Sequence, residues 1–169
     1  MNFRLTSCAI AAILGAATGL PSVASAQGAL TQSWKTDGGW LTELRVHPNG
    51  AKVCSTGKAG SKPHAFGLSF VRSGPEAVVL VVDQAQPPSG GATEMIFRQG
   101  GQTVGAVKAM TEGPAFASTD PTGPQATGIM SKLTDQPLVI EVGGRRYETA
   151  LTGLSDALAQ LARCASGAG

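Results

Sequence analysis

Two cysteines constrain this chain more than any other pair of residues. Cys54 lies in an early apolar stretch, and Cys164 closes the segment "GLSDALAQLARC" near the end of the sequence. They stand 110 positions apart, so a bond between them would tie most of the chain into one ring. Whether they pair depends on the compartment in which the chain folds, because disulfides persist in oxidising environments.

The first residues supply that compartment. "MNFRLTSCAIAAILGAATGLPSVASAQG" begins with one positive charge, Arg4, and continues with an uncharged apolar run, Leu5 to Leu20. Pro21 and Ser22 break the run, and Ala24-Ser25-Ala26 sets small residues before a cut ahead of Gln27. This is the pattern of a secretory signal peptide. A retained anchor is the alternative, but the run is shorter than the roughly 20 apolar residues a spanning helix needs. The third cysteine, Cys8, leaves with the leader. Residues 1–26 are thus read as a cleaved leader, 27–164 as one β-rich domain and 165–169 as a flexible tail. No stable membrane span is expected after processing, and the expected location is periplasmic or secreted.

An even pair of thiols in an exported chain is read as a disulfide, and two cysteines allow one intramolecular connectivity. Rival readings are weaker. Cys54, Cys164, His47 and His64 lack the close ligand spacing of a metal site. A redox pair would be a Cys-x-x-Cys motif, and a catalytic thiol would need a base and a setting that lowers its pKa.

Periodicity gives the fold class. "WLTELRVH" (Trp40 to His47) alternates with Trp40, Thr42, Leu44 and Val46 on one face, and in "HAFGLSFVR" (His64 to Arg72) Phe66, Leu68 and Phe70 share a face. Period-2 alternation of this kind marks half-buried strands. "EAVVLVVD" (Glu76 to Asp83) is continuously apolar up to its final aspartate and reads as a central strand covered on both sides. Turn signals follow at Pro48-Asn49-Gly50, Gln99-Gly100-Gly101 and Gly143-Gly144. "TGKAGSKP" (Thr56 to Pro63) and "QAQPPSGGA" read as loops. "TEGPAFASTDPTGPQA" (Thr111 to Ala126) reads as a long surface crossover with room for a short strand at Ala115-Phe116-Ala117. "TGIMSKL" supports one or two helical turns. In the closing segment Leu154, Leu158, Leu161 and Ala165 form one apolar stripe, Ser155 is the expected N-cap, and Gly167 the stop. The expectation is mainly antiparallel β: a sandwich or a curled barrel-like sheet of about seven or eight strands, one short internal helix and a C-terminal helix.

Function is far less legible. Removal of Arg4 leaves 12 basic against 11 acidic residues, which gives no basic field for nucleic acid. Nucleophile-elbow, zincin and phosphate-loop motifs are absent from the sequence. His47 reads as a hairpin-edge residue, His64 as a strand start, and Tyr147 as packing against the last hairpin's neighbours. No catalytic, cofactor-binding or metal-binding residues are therefore assigned, and no cofactor is expected.

One ordered set of features carries a resemblance. An exported start is followed by Trp40 and Cys54 on an early hairpin, then the strand "GLSFVR", then "SKL" before the strand "LVIEV", and finally Gly-Leu-Ser-x-Ala-Leu-x-x-Leu-x-x-Cys. Together these resemble the small exported proteins related to invasion-associated locus B of alphaproteobacteria. The resemblance implies a β-sandwich-like periplasmic protein with a disulfide and no catalytic residues to carry over. The sequence departs from it in lacking the additional cysteines some relatives carry, in the strongly apolar strand from Ala77 to Val82 and in its proline-rich middle. The expected function is a non-catalytic envelope module that binds an envelope protein or a small ligand. The alternative is a periplasmic hydrolase drawing on scattered carboxylates such as Asp83, Glu94 and Glu112.

Overall fold

A computed structural model describes residues 28–73, 75–120 and 122–167. The expected leader, with Ala24, Ala26 and the expected cut at Gln27, lies outside the described residues, as do Ala168 and Gly169 of the expected tail. Ten strands and two helices follow in order: β1 (Ala29–Thr36), β2 (Trp40–Val46), β3 (Lys52–Gly60), β4 (Phe66–Ser73), β5 (Glu76–Val82), β6 (Ala92–Gln99), β7 (Gln102–Glu112), β8 (Ala115–Ser118), α1 (Pro124–Lys132), β9 (Leu138–Val142), β10 (Arg145–Thr149) and α2 (Leu154–Ser166). A short 3₁₀ turn, Asp37–Gly39, joins β1 to β2.

Every strand pair is antiparallel, and the strands form one sheet in the order β1-β2-β3-β4-β5-β8-β7-β6-β9-β10. The sheet is not closed, but it is curled. Lys62, just after β3, forms an isolated antiparallel bridge to Glu148 of β10, and the Glu148 N–H donates to the Lys62 carbonyl at 2.9 Å. The far edge of the sheet is thereby brought back to its first half.

The alternation read from sequence sets the inner face. Trp40, Phe66, Leu68, Phe70, Val79, Val81, Met95, Phe97, Leu138 and Ile140 are all buried in one cluster. β5 is central, between β4 and β8, and its other face is buried too: Leu80 and Val82 join Ala115 and Ala117 of β8 in a second, smaller cluster. The apolar stripe of α2 packs on β2, β3 and β4, burying Leu154, Ala157 and Leu161. Cys164 on that stripe is bonded to Cys54 of β3, with Cα atoms 6.0 Å apart. α1 packs on β7 and β5 through Ala126, Ile129 and Met130.

Three local expectations are corrected. The strand count is ten, because Ala29–Thr36 forms strand β1 and Ala115–Ser118 forms strand β8; "TGKAGSKP", read as loop, is strand as far as Gly60 and lengthens β3. Glycine reads locally as a breaker, but Gly60 is where the ring of Phe66 packs: a Cβ there would lie 2.1 Å from the ring. The middle segment is not a long surface crossover. β7 runs through Glu112, and the short strand suspected at Ala115-Phe116-Ala117 is β8, inserted between β5 and β7. Finally, Ser155 does not cap α2. The helix starts from Gly153 (φ 78°) with no cap from its own residues' side chains, and Asp135 supplies the acceptor: its carboxylate takes the N–H groups of Gly153 and Ser155, each at 3.3 Å. A carboxylate also suits the positive end of the helix dipole. Asp135→Ala is expected to cost about 1 kcal/mol in urea unfolding, the usual value of a lost cap, while Ser155→Ala stays near neutral.

The start of α2 is also locked to the β1–β2 turn, backbone against backbone. A Cβ on Gly38 would lie 1.9 Å from the Thr152 carbonyl, and one on Gly153 would lie 2.1 Å from the Asp37 carbonyl. The Trp40 indole N–H donates to that same Thr152 carbonyl at 3.0 Å.

Candidate functional site

The densest polar cluster among the described residues is built around Asp83, the last residue of the apolar run "EAVVLVVD". Its side chain is 0% exposed. An isolated buried carboxylate is costly, so its oxygens must find donors. Four arrive from three parts of the sequence. Oδ1 lies 2.8 Å from His64 Nε2 and accepts the Gln86 backbone N–H at 2.8 Å. Oδ2 accepts the Tyr147 hydroxyl at 2.7 Å and the Arg145 guanidinium at 3.2 Å. Opposite an ionised Asp83, His64 must carry a proton on Nε2.

Arg145 also donates to the carbonyls of Gln86 and Pro87 and lies over the ring of Phe116, 5.9 Å from its centroid. The cluster therefore fixes the loop after β5. It also joins β5 to β10, which are separated in the sheet by β8, β7, β6 and β9. Like the Lys62–Glu148 bridge, it ties β10 back to the first half of the sheet.

Burial works to raise the Asp83 pKa, but the hydrogen bonds from Tyr147, Gln86 and His64, with the charge of His64, outweigh it and hold the carboxyl below its ordinary 3.8. Burial pushes the Tyr147 phenol up to about 12; Arg145 pulls it down, and Asp83 adds to the rise. Tyr147 is the protein's one tyrosine, so phenolate absorbance reads it alone. The phenol is raised in the folded state, so its contribution is whole below the unfolded value near 10 and is lost as pH climbs through 12. The expected result is no phenolate signal near pH 10 and a late, cooperative rise coinciding with unfolding. A simple titration near 10 in the folded protein would contradict this burial.

The carboxylates of the hydrolase alternative are not brought together by any hydrogen bond. Asp83 is engaged as above. Glu94 is exposed on β6 opposite Lys108, and Glu112 ends β7 opposite Ala115. None of Asp83's hydrogen-bond partners is a carboxylate. His47 lies at the turn between β2 and β3, its N–H bonded to the Ala51 carbonyl. Cys54 and Cys164 are consumed in the disulfide. Among the described residues no group of three His, Cys, Asp or Glu side chains could hold a metal ion, and no helix is long and apolar enough to cross a membrane.

Two surface features remain. One is a shallow groove of about 410 Å³ over β6, β9 and β10, lined by Glu94, Ile96, Glu141, Arg145 and Arg146 among others. Most of its charges are already matched: Glu141 by Arg98, Arg145 by Asp83 and Arg146 by Glu148. The other is the edge strand β1, which among the described residues pairs only with β2. A bulge between Leu30 and Gln32 shifts its register. The shift sets Leu30 opposite Arg45, away from the inner face, and leaves it 51% exposed. Sequence reasoning missed the Asp83 cluster and the bulge alike. The one signal for the cluster was a carboxylate ending a strand that is apolar on both faces. Comparison of the sequence and fold with protein-family models, curated proteins and solved structures finds no match.

Proposed function

We propose that this is an exported cell-envelope protein that binds a partner and performs no chemistry on it, in keeping with its resemblance to proteins related to invasion-associated locus B. The observation that carries the binding reading is the β1 edge. Strand β1 spans eight residues and, among the described residues, pairs along one side only, and an open strand edge is a template for an extended segment of another protein. The exposed Leu30 at the bulge offers an apolar contact beside that edge. The disulfide supports export, since such a bond is kept in an oxidising compartment.

The test has two arms. Fractionation with N-terminal sequencing is expected to find the mature protein in the periplasm or medium, beginning at Gln27. A photo-crosslinker at position 30 in living cells is expected to capture a partner, and the adduct is expected to vanish when Thr31→Pro is added to the same strand. Retention of the leader in a cytoplasmic protein would remove the export reading. Crosslinks indifferent to the proline would remove the edge as the binding surface.

A second reading, hydrolysis, rests on the buried Asp83 oriented against His64, which is 24% exposed. An orienting acid behind an imidazole is the arrangement a general base requires. It predicts that His64→Gln abolishes an activity while leaving stability nearly intact. The binding reading predicts that the substitution acts on stability alone.

A further inference from the structure

The sequence has two asparagines, Asn2 in the expected leader and Asn49, and Asn49 precedes a glycine. Both Asn49 and Gly50 are exposed at the tip between β2 and β3. Gly50 has φ 81° and nothing within 4 Å of where a Cβ would be, so no neighbour crowds that face of the turn. The amide oxygen of the Asn49 side chain, Oδ1, accepts the Ala51 backbone N–H at 3.0 Å. That donor is aimed at the oxygen on which negative charge develops if Cγ is attacked, the arrangement of an oxyanion hole.

We propose that the Pro48-Asn49-Gly50-Ala51 turn is a self-modification site, at which Asn49 is converted to aspartate or isoaspartate with water as the only co-reactant. The Gly50 amide nitrogen gives up its hydrogen bond to the His47 carbonyl, 2.9 Å long, and forms a bond to Asn49 Cγ. The Cγ–Nδ2 bond of Asn49 breaks, and ammonia leaves with the proton that the Gly50 nitrogen loses. The resulting cyclic imide is opened by water at one carbonyl or the other. Opening at the backbone carbonyl routes the main chain through the side chain and gives isoaspartate; opening at the other carbonyl gives aspartate. No electrons are transferred. Each event replaces a neutral amide with a carboxylate and lowers the formal charge of the protein by one, at the end of the hairpin that leads into Cys54. The Ala51 N–H accelerates the attack, so the folded turn reacts faster than the same residues free of the fold.

The folded protein and a linear peptide of residues 45–53 are incubated side by side at neutral pH. Asn49→Gln, which has the longer side chain, serves as the control that should not change. Isoelectric focusing reads the acidic form, and peptide mapping reads isoaspartate. The expected result is roughly tenfold faster conversion in the folded protein, a fraction of what one donor gives in a buried oxyanion hole, because this turn is in water. Conversion in the folded protein no faster than in the peptide would overturn the proposal, as would an acidic form that persists in Asn49→Gln.

Discussion

Replacing Asp83 with alanine is expected to remove about 3–5 kcal/mol of stability, the cost of breaking a buried ion pair by deleting one partner. Against a total of roughly 5–15 kcal/mol for a domain, that is the largest single-residue effect anticipated here. The reason lies in what is stranded. Asp83 is the acceptor for a fully buried phenol, a half-buried imidazole, a guanidinium and a backbone N–H. Without it, the buried Tyr147 hydroxyl loses the acceptor it holds at 2.7 Å, and Arg145 keeps its charge but loses its counterion. Tyr147→Phe is the contrasting case. It deletes one hydrogen bond to a charged acceptor, about 1.5–3 kcal/mol, and leaves Asp83 with three donors. Urea unfolding of the two variants should rank them in that order.

The pH dependence of Asp83 has a definite sign. Its folded pKa is depressed below 3.8, so its contribution is whole above that value and is lost as pH falls through the lower, folded one. Acid should therefore reduce the gap between wild type and Asp83→Ala below pH 3.8. If Asp83→Ala equals Tyr147→Phe at neutral pH, the carboxylate is not the group that holds β10 to β5.

Much of the architecture can be read residue by residue, because the sequence states it locally. Phe66, Leu68 and Phe70 alternate into the core. The run from Ala77 to Val82 is apolar on both faces and lies centrally. The glycine pairs Gly100-Gly101 and Gly143-Gly144 sit at positive φ where two hairpins turn. Leu154, Leu161 and Cys164 line one face of a helix.

What stayed hidden is non-local. β8 is four residues long, too short to show a period, and is a strand only because β5 and β7 flank it. β3 continues through Gly57, which faces Leu41 of β2 and Ser69 of β4, and on to Gly60, which pairs with Phe66 of β4. The α2 cap comes from Asp135, 18 positions before the Gly153 N–H it accepts, so inspecting the helix's own first turn finds Ser155 instead. The Asp83 cluster draws on positions 64, 83, 86, 145 and 147. Each of these looks ordinary in its own window, and only the curl of the sheet brings them together.

Removing the disulfide is the second large effect. The variant with both Cys54→Ala and Cys164→Ala is expected to lose about 2–4 kcal/mol, while the loop-entropy argument alone gives about 4.7 for a ring of roughly 100 residues. The shortfall follows from what remains. Leu154, Ala157 and Leu161 still pack on β2, β3 and β4, and the start of α2 stays locked against the β1–β2 turn through Gly38 and Gly153. The folded helix is thus positioned by packing, and the bond acts chiefly by restricting the unfolded state. That reading predicts more than a lower urea midpoint. An unfolded polypeptide freed of its staple exposes more surface, so the denaturant slope m should rise. If the bond instead holds α2 in place, its loss would let the helix detach before global unfolding. The slope would then fall, and far-UV and Trp fluorescence transitions would separate. A single transition with a raised slope fits a staple on the unfolded state; two transitions with a lowered one fit a clamp on the folded helix.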